Sequence, residues 1–578
     1  MREGDIEPGY FAASGGDQVT VQVIFDIMAE SHEFIWFAHN SQYELRYFIA
    51  GLLEHKENVS FYSRTDSDVF MINIRLPDYG DKAVLSIRDS MAIWPSSLEK
   101  LANTFCPELP KLFIDFEKLT FDPKNSDHIA YSKRDSETLL LSMIRFDAMI
   151  YDIFDVHLRV TTASTALAAW QRTLDSDDKY YNTPVHEDYI RSAYYGGLVF
   201  LTDTKKYDGC KTYDKNSSYP HQMLTYPMPI GSPLQTDLFD GRRPGIYTVT
   251  VRAPDDLIVP ILPVRKRDGI VWPSGTFKTT VTSDELRFAV NHGYRLLTIH
   301  DGRVWNETCK PFDDFINKCM EIRLGNPGTA LDQVAKLMQN SLYGKFGTRR
   351  KRRKIYATMT DEEITAGDTQ AWGNFFIREE TAEDMQCLPV WAVFITAHAR
   401  LALLDKIYEI GPENVLYGDT DSITLKPGYS MEESKAYGGW KLEKTWQEFR
   451  AHAPKVYAGL LLDKTTKQRK LAGAAKGIPR RQWVKSGIFG AILDMLPQAR
   501  VQYKTLEKFV SALKSGYIGQ HESVRSMSDL SNSHSWRKRS DGTVRPRDWR
   551  EHEQDEIATT RRSADRGKRD SIAKRAAS

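Results

Sequence analysis

Asp419 and Asp421 stand two apart in YGDTDS, 417–422, between the apolar residues Val415 and Leu416 on one side and Ile423 and Leu425 on the other. The pattern reads as a strand, a tight turn and a second strand, with both carboxylates at the tip. Side chains two apart on extended backbone share a face. Two such carboxylates can hold a hard divalent cation such as Mg²⁺, which takes oxygen ligands. Alone, the hexapeptide reads better as a polar hairpin tip, because Asp suits turns. A third carboxylate, Asp214, lies in KTYDKNSSYPHQM, 211–223. Pro220 there biases Tyr219 toward extended backbone and closes a turn. Alone, this block reads as a polar turn ahead of a helix. In TALDQVAKLMQNSLYGKFG, 329–347, Thr329 with Asp332 suggests a capping box and Gly344 a helix stop. Leu331, Val334, Ala335, Met338 and Leu342 form one stripe of that helix, and Lys336, Asn340 and Tyr343 fall on the opposite face. A cation, an amide and an aromatic ring in a row suit a nucleotide, with Lys on phosphates and Tyr under the base or sugar. An ordinary solvated face fits that helix equally well.

The elements that must position these groups read as a multidomain α/β chain. Its 578 residues leave room for about three or four domains of the usual size. Residues 34–40 (FIWFAHN) and 83–90 (AVLSIRDS) read as strands, and 97–105 and 134–154 as helices. Residues 481–518 read as a small helical domain, and the Ser-, Arg- and acid-rich residues beyond about 521 as disordered or transiently helical. The net charge is +1, so any nucleic-acid surface must be local. Cys106, Cys210, Cys309, Cys319 and Cys387 show no metal or CxxC spacing and read as reduced thiols. With no bilayer-length apolar run and no signal-peptide core, the chain reads as soluble and cytoplasmic, without a membrane partner.

In this order, DKNSSYP (214–220), KLMQNSLYG (336–344) and YGDTDS resemble the D-x-x-S-L-Y-P, K-x-x-x-N-S-x-Y-G and Y-x-D-T-D-S blocks of the family B DNA polymerases. The resemblance is to the protein-primed branch of phages and linear plasmids. Ser218 replaces the usual Leu, a change expected to be tolerated. YYGG (194–197), TAHAR (396–400) and KVY (455–457) resemble further blocks of that family, and the likeness covers roughly residues 30–520. It implies a DNA polymerase using two Mg²⁺ ions, with Asp214 and Asp421 as metal ligands and Asp419 assisting. Such a pair of ions holds the attacking 3′-oxygen and the leaving pyrophosphate. The resemblance further implies that Lys336 and Arg323 clamp the triphosphate. Tyr219 would exclude a ribose 2′-hydroxyl, and Asn340 and Tyr343 would line the nucleotide site. Tyr194, Gly196, Gly197, Thr396, Arg400, Lys455 and Tyr457 would contact DNA, the glycines by letting backbone approach nucleic acid. Primer–template DNA, dNTPs and a terminal protein are the implied partners of a monomer.

The implied layout is an RNase H-like exonuclease-type domain (1–155), a helical connector (156–187) and a right-hand core. That core comprises palm (188–235 and 389–480), fingers (313–347) and thumb (481–520), with insertions at 236–312 and 348–388 and a polar tail (521–578). The second insertion opens with TRRKRRK, 348–354, a run that reads as lying along phosphates or as a solvated loop.

The exonuclease half matches less well. Tyr131 and Asp135 stand in YSKRD where the family has Y-x-x-x-D, and Ser97 and Leu98 open a block that binds single strands. The N-x-x-F/Y-D block is Asn40 to Glu44, with Glu in place of Asp. The extra methylene moves the carboxylate, and metal catalysis tolerates misplacement poorly. For the D-x-E block the candidate is Asp5 with Glu7, too near Met1 for a preceding strand. Either the true block lies upstream, or a compressed domain uses Asp5 and Glu7; loss or impairment is the favoured reading. His39 reads as a packed or hydrogen-bonded histidine. A primer-independent polymerase, a non-catalytic nucleic-acid-binding remnant and a nuclease are the rival functions. The intact polymerase carboxylates argue against the remnant, and the damaged blocks against the nuclease.

Overall fold

The computed structural model describes residues 35–41, 59–65, 68–75, 84–114, 122, 124–175, 180, 186–267, 269–349, 351–356, 359, 364, 369–372, 375–381, 388–462, 468–483, 486–494, 496, 499–506, 511–512, 520–526 and 535–556. The chain divides into two compact units. One comprises Met1–Lys179, Phe312–Cys387 and Lys504–Glu522; the other comprises Tyr180–Pro311, Leu388–Tyr503 and Ser523–Ser578.

The first unit is built on a seven-stranded sheet. Ile35–Ala38 runs parallel to Val84–Asp89, whose Leu85, Ile87 and Asp89 alternate inward as a half-buried strand requires. Asp68–Arg75 and Val59–Thr65 follow antiparallel. The basic run 348–354 corrects the loop reading: its residues from Lys351 join the inner strand Lys351–Tyr356, paired with Val59–Thr65 and with Phe375–Thr381. Ile355 is the reason. It is 1% exposed and opposite Phe61 and Ile377, while Lys354 lies over the Tyr62 and Tyr356 rings.

Helix Leu98–Phe105 is capped by the Ser97 hydroxyl and buries Leu98, Leu101, Ala102 and Phe105. Helix Ser126–Phe154 starts earlier than its apolar pattern suggests, because Asn125 caps its N-terminus by accepting from Asp127 and His128. Helix Ala330–Phe346 starts at the expected Thr329 cap but runs past Gly344. Val334, Ala335, Met338 and Leu342 are buried, as the stripe predicts, and Phe346 extends it onto Trp170 of helix Thr162–Gln171, edge to face at 5.1 Å.

The second unit carries an eight-stranded sheet. Seven strands matter for the site: β1 (Val199–Leu201), β2 (Lys211–Lys215), β3 (Val415–Asp419), β4 (Ser422–Leu425), β5 (Trp440–Ala453), β6 (Val456–Leu462) and β7 (Arg469–Ala475). Their order is β7-β6-β5-β2-β4-β3-β1. Strands far apart in sequence thus become neighbours over a core holding Phe200, Tyr213, Tyr417, Trp446 and Phe449. A second sheet, with Gly245–Arg252 between Thr276–Thr282 and Arg295–Val304, fits the strand-rich pattern of 236–312. Helix α1 (Ser283–Asn291) leaves that sheet through a capping box between Thr282 and Glu285. Helix α2 (Pro389–Ile410) is buried along its first three turns, from Pro389 to Arg400.

Two expectations fail. Among the described residues of 481–518 the expected all-helical pattern does not hold: helix Ile488–Leu493 is followed by strand Arg500–Leu506. The tail is not wholly unstructured either. Trp536–Lys538 pairs with Val544–Pro546, Asp203 bridges to Thr543, and 549–556 are helical. Trp536 is 6% exposed and Val544 fully buried in the second unit's core. Two apolar anchors suffice to dock a ribbon whose bulk composition is polar. Cys106, Cys210, Cys309 and Cys319 are free thiols. Among the described residues, no helix is long and apolar enough to cross a membrane.

Candidate active site

Asp419 ends β3, and Thr420 and Asp421 make the turn into β4, so the strand–turn–strand reading holds. The shared-face reading needs correction, because the backbone between the two carboxylates is not extended. Thr420 has φ +61°. A residue in such a region costs roughly 1–3 kcal/mol and persists where its surroundings over-determine it. Those surroundings are visible. Thr420 N–H donates to Leu198 O at 2.9 Å, Asp421 N–H to Asp419 O at 2.6 Å, and Lys215 N–H to Asp421 O at 2.9 Å. Asp214 on β2 lies between Ser422 of β4 and Lys441 of β5 in the sheet register. Sheet pairing therefore brings together carboxylates some 200 residues apart in the chain.

The electrostatics report that convergence. The Asp421 carboxyl is pushed up to about 6, first by burial, then by the charges of Asp214 and Asp419. Two half-exposed ammonium groups supply countercharge: Lys455 Nζ stands 3.1 Å from both Asp419 oxygens, and Lys441 Nζ is 3.2 Å from Asp214. Ion pairs this exposed hold weakly and can yield to a stronger cation. A cavity of about 390 Å³ opens here, lined by Asp419, Asp421, Glu443, Trp446 and Tyr457 among others. Burial, then the Asp419 charge, holds the Tyr417 and Tyr457 hydroxyls above the usual tyrosine range. Among the described residues, no group of three His, Cys, Asp or Glu side chains stands arranged to hold a metal ion. The donor chemistry nevertheless fits divalent cations, because hard carboxylates crowd one another with only loosely held lysines between them. Glu443, which adds to the charge on Asp421, carried no motif to mark it.

Other expected residues fall in varied places. Tyr219 and Pro220 do not close an extended turn; they sit in the first turn of helix Ser218–Thr225, where Pro is tolerated. Lys455 N–H donates to the Tyr417 hydroxyl, and the Tyr417 and Tyr457 rings are 5.0 Å apart. Gly197 is indeed a close-approach glycine, but what it meets is Thr420: an added Cβ would lie 2.5 Å from the Thr420 hydroxyl oxygen. Gly196 is exposed, with open space around it. Arg265 donates to Tyr194 O. The expectation that Thr396 and Arg400 touch DNA is corrected by burial, at 4% and 1% exposed. Thr396 bonds back to Ala392 and Val393 carbonyls, and Arg400 pairs with Glu285.

In the first unit, Lys336 is exposed while Asn340 and Tyr343 are half-buried. Arg323 pairs with Asp332 at 2.9 Å, and Asp332 also accepts from Gly328 N–H, so its carboxylate serves a turn and a cation. Ser97 is exposed, but Leu98 belongs to the core rather than to a binding surface. Asp5, Glu7 and Glu44 lie outside the described residues. Asn40 has φ +66° and donates its N–H to Asp89. Asp135 Oδ2 pairs with Lys111 at 3.0 Å, its Oδ1 is buried with no hydrogen-bond partner, and Lys111 lies over the Tyr131 ring. His39 is hydrogen-bonded between Ser90 and Ser96, as expected.

The chain is similar to known proteins. Residues 124–402 match the family described as DNA polymerase type B, organellar and viral. A probable DNA polymerase of Neurospora intermedia is 27% identical over 559 residues, covering 83% of this chain and 57% of that protein. The DNA polymerase of Bacillus phage Nf is 28% identical over 411 residues, 64% of this chain and 67% of the phage protein. The chain spans about half the length of the fungal relatives from Neurospora intermedia and Ascobolus immersus, at 57% and 43%. Phi29 DNA polymerase, solved with primer-template DNA and incoming nucleotide substrates, has a similar fold: TM-score 0.70 at 20% identity, covering 87% of this chain and 93% of that one. The fold is therefore a multidomain α/β DNA polymerase fold. Over residues 124–402, just under half of its length, the chain is thus similar to the organellar and viral family B DNA polymerases, and its fold is similar to that of the phage enzyme.

Proposed function

We propose that this chain is a template-directed DNA polymerase that adds dNTPs to a 3′-hydroxyl, and that it serves protein-primed replication. The observation that carries the reading is the meeting of Asp214, Asp419 and Asp421 on neighbouring strands and the turn between them, with Asp421 raised by burial and then by its two companions. Two Mg²⁺ ions bound there would activate the attacking oxygen and neutralise the triphosphate. Asp214 and Asp421 are the principal ligands and Asp419 assists. Lys455 and Lys441, displaced from Asp419 and Asp214, become free to meet phosphates. Tyr219 acts as the barrier to a 2′-hydroxyl. Lys336 and Arg323 bind triphosphate, and Asn340 and Tyr343 line the nucleotide site; Arg323 must first leave Asp332. Tyr457 tracks the primer strand.

In this reading the second unit holds the palm and the first holds the fingers and an RNase H-like domain whose exonuclease site is impaired. The test is primer extension with dNTPs and Mg²⁺, run with and without a hydroxyl-bearing protein primer. Extension of a DNA primer is expected, and incorporation onto the protein hydroxyl marks the priming mode. A chain that binds primer–template but adds no nucleotide would be the non-catalytic remnant instead.

A further inference from the structure

Arg400 and Glu285 form a buried ion pair that the mechanism above does not use. Both residues are 1% exposed. Glu285 is fixed first. Its Oε2 accepts from the N–H and hydroxyl of Thr282 in the capping box of α1. Its Oε1 accepts Nε and Nη2 of Arg400, from α2, at 3.0 and 2.6 Å. A guanidinium held this way cannot turn, because its donors form a rigid fork. The remaining Nη1 is aimed at the loop before β1, donating to Tyr195 O at 2.6 Å and Gly196 O at 3.0 Å.

That loop leads straight to the catalytic turn. Gly197 packs against Thr420 with no room for a methyl group. Leu198 O accepts Thr420 N–H, and Val199 and Phe200 pair with Asp419 and Gly418. The left-handed conformation of Thr420 needs support from outside the turn. One chain of contacts thus runs from the capping box through Glu285, Arg400 and the Tyr195–Gly197 backbone to the turn between Asp419 and Asp421.

We propose that Glu285 is a positioning residue for the polymerase site: through Arg400 it fixes the Tyr195–Gly197 loop, and through that loop the placement of the Asp419–Asp421 turn. This inference rests on the polymerase reading. A neighbouring pair supplies the control. Asp284 and His398, 2.9 Å apart, also join α1 to α2, but neither bonds to the loop. A brace needed only for holding the two helices together would make the two pairs equivalent.

The experiment compares full-length wild type, Glu285→Gln, Glu285→Asp, Arg400→Lys, Gly197→Ala and Asp284→Asn in primer extension, with thermal melting alongside. Glu285→Gln and Arg400→Lys should lower kcat by about tenfold or more, because small misplacements of metal-holding groups are costly in rate. The Mg²⁺ concentration for half-maximal rate should rise, while KM for dNTP and Kd for primer–template stay within about twofold. Gly197→Ala, which pushes the turn from the other side, should show the same pattern. Glu285→Asp should recover part of kcat. Asp284→Asn should melt lower without changing the Mg²⁺ requirement.

The proposal is overturned if folded Glu285→Gln keeps wild-type kcat and Mg²⁺ requirement, or if Asp284→Asn shifts that requirement equally. Should Glu285→Gln fail to fold, the Mg²⁺ requirement of Gly197→Ala and Arg400→Lys decides by the same criterion. Absence of extension by the wild type would instead remove the polymerase reading itself.

Discussion

Asp421 joins sequence to chemistry at the scale of one residue. Its carboxyl is pushed from 3.8 to about 6 by burial and by Asp214 and Asp419, so the folded chain binds this proton more tightly than the unfolded chain does. A raised carboxyl stabilises the fold below its ordinary range, and that contribution is lost as pH rises through about 6; the effect is on the order of 3 kcal/mol. Divalent metal should restore what crowding costs. Melting temperature should rise on adding Mg²⁺ near pH 8, and the increment should shrink near pH 5, where protons compete for the ligands. An increment independent of pH would remove Asp421 from the metal site. Asp421→Asn should abolish nucleotide incorporation while primer–template affinity survives, since a ligand is lost and the DNA-binding surfaces remain. Asp214→Asn should behave alike. Near-wild-type extension by either would defeat the two-metal assignment. Both aspartates were legible in the sequence because catalytic motifs are local. Glu443 was not, because only the register of β5 against β2 brings it to the cavity.

At the scale of elements, the signals that held were short-range ones. The Thr329 cap, the stripe of helix Ala330–Phe346 and the β3–β4 hairpin depend on neighbouring residues, so periodicity and capping exposed them. Arg400 misled, because an arginine in a motif reads as a phosphate contact until its partner is known. Glu285, its partner, lies 115 residues away. The basic strand from Lys351 misled for a similar reason: composition reports charge, whereas Ile355 and the flanking strands decide the pairing. The docked ribbon at 535–556 shows the limit of reading composition in bulk. Trp536→Ala should cost about 3–5 kcal/mol, the usual penalty for a buried large aromatic. The check is urea unfolding of the full-length protein. Loss below roughly 1 kcal/mol would mean that the ribbon is peripheral after all.

On the scale of the whole molecule, the two units differ in how completely they carry the carboxylates expected of a metal site. The second presents intact carboxylates on a sheet that brings distant strands into register. In the first, Asp135 faces Lys111 and leaves one oxygen buried without a hydrogen bond, and the middle block offers Glu44 where Asp is expected. Asp135 and Tyr131 cannot by themselves hold two metal ions, since each ion needs several oxygen ligands. The fold around them is nonetheless built: Asn40 is anchored to Asp89, and Trp94, Phe105 and Phe146 pack as a ring cluster behind helix Leu98–Phe105. A folded domain with a poor metal site should retain single-strand binding and lose cleavage. The expected outcome is therefore little or no 3′–5′ degradation of a 3′-labelled single strand with Mg²⁺ or Mn²⁺ and no dNTPs, from a protein that extends primers. Robust digestion that vanishes in Asp5→Ala would establish a working site that uses Asp5. Digestion that survives Asp5→Ala and is lost in Asp135→Ala would require a further carboxylate to complete the metal site. Either result would overturn the impairment, because both need a complete metal-binding set.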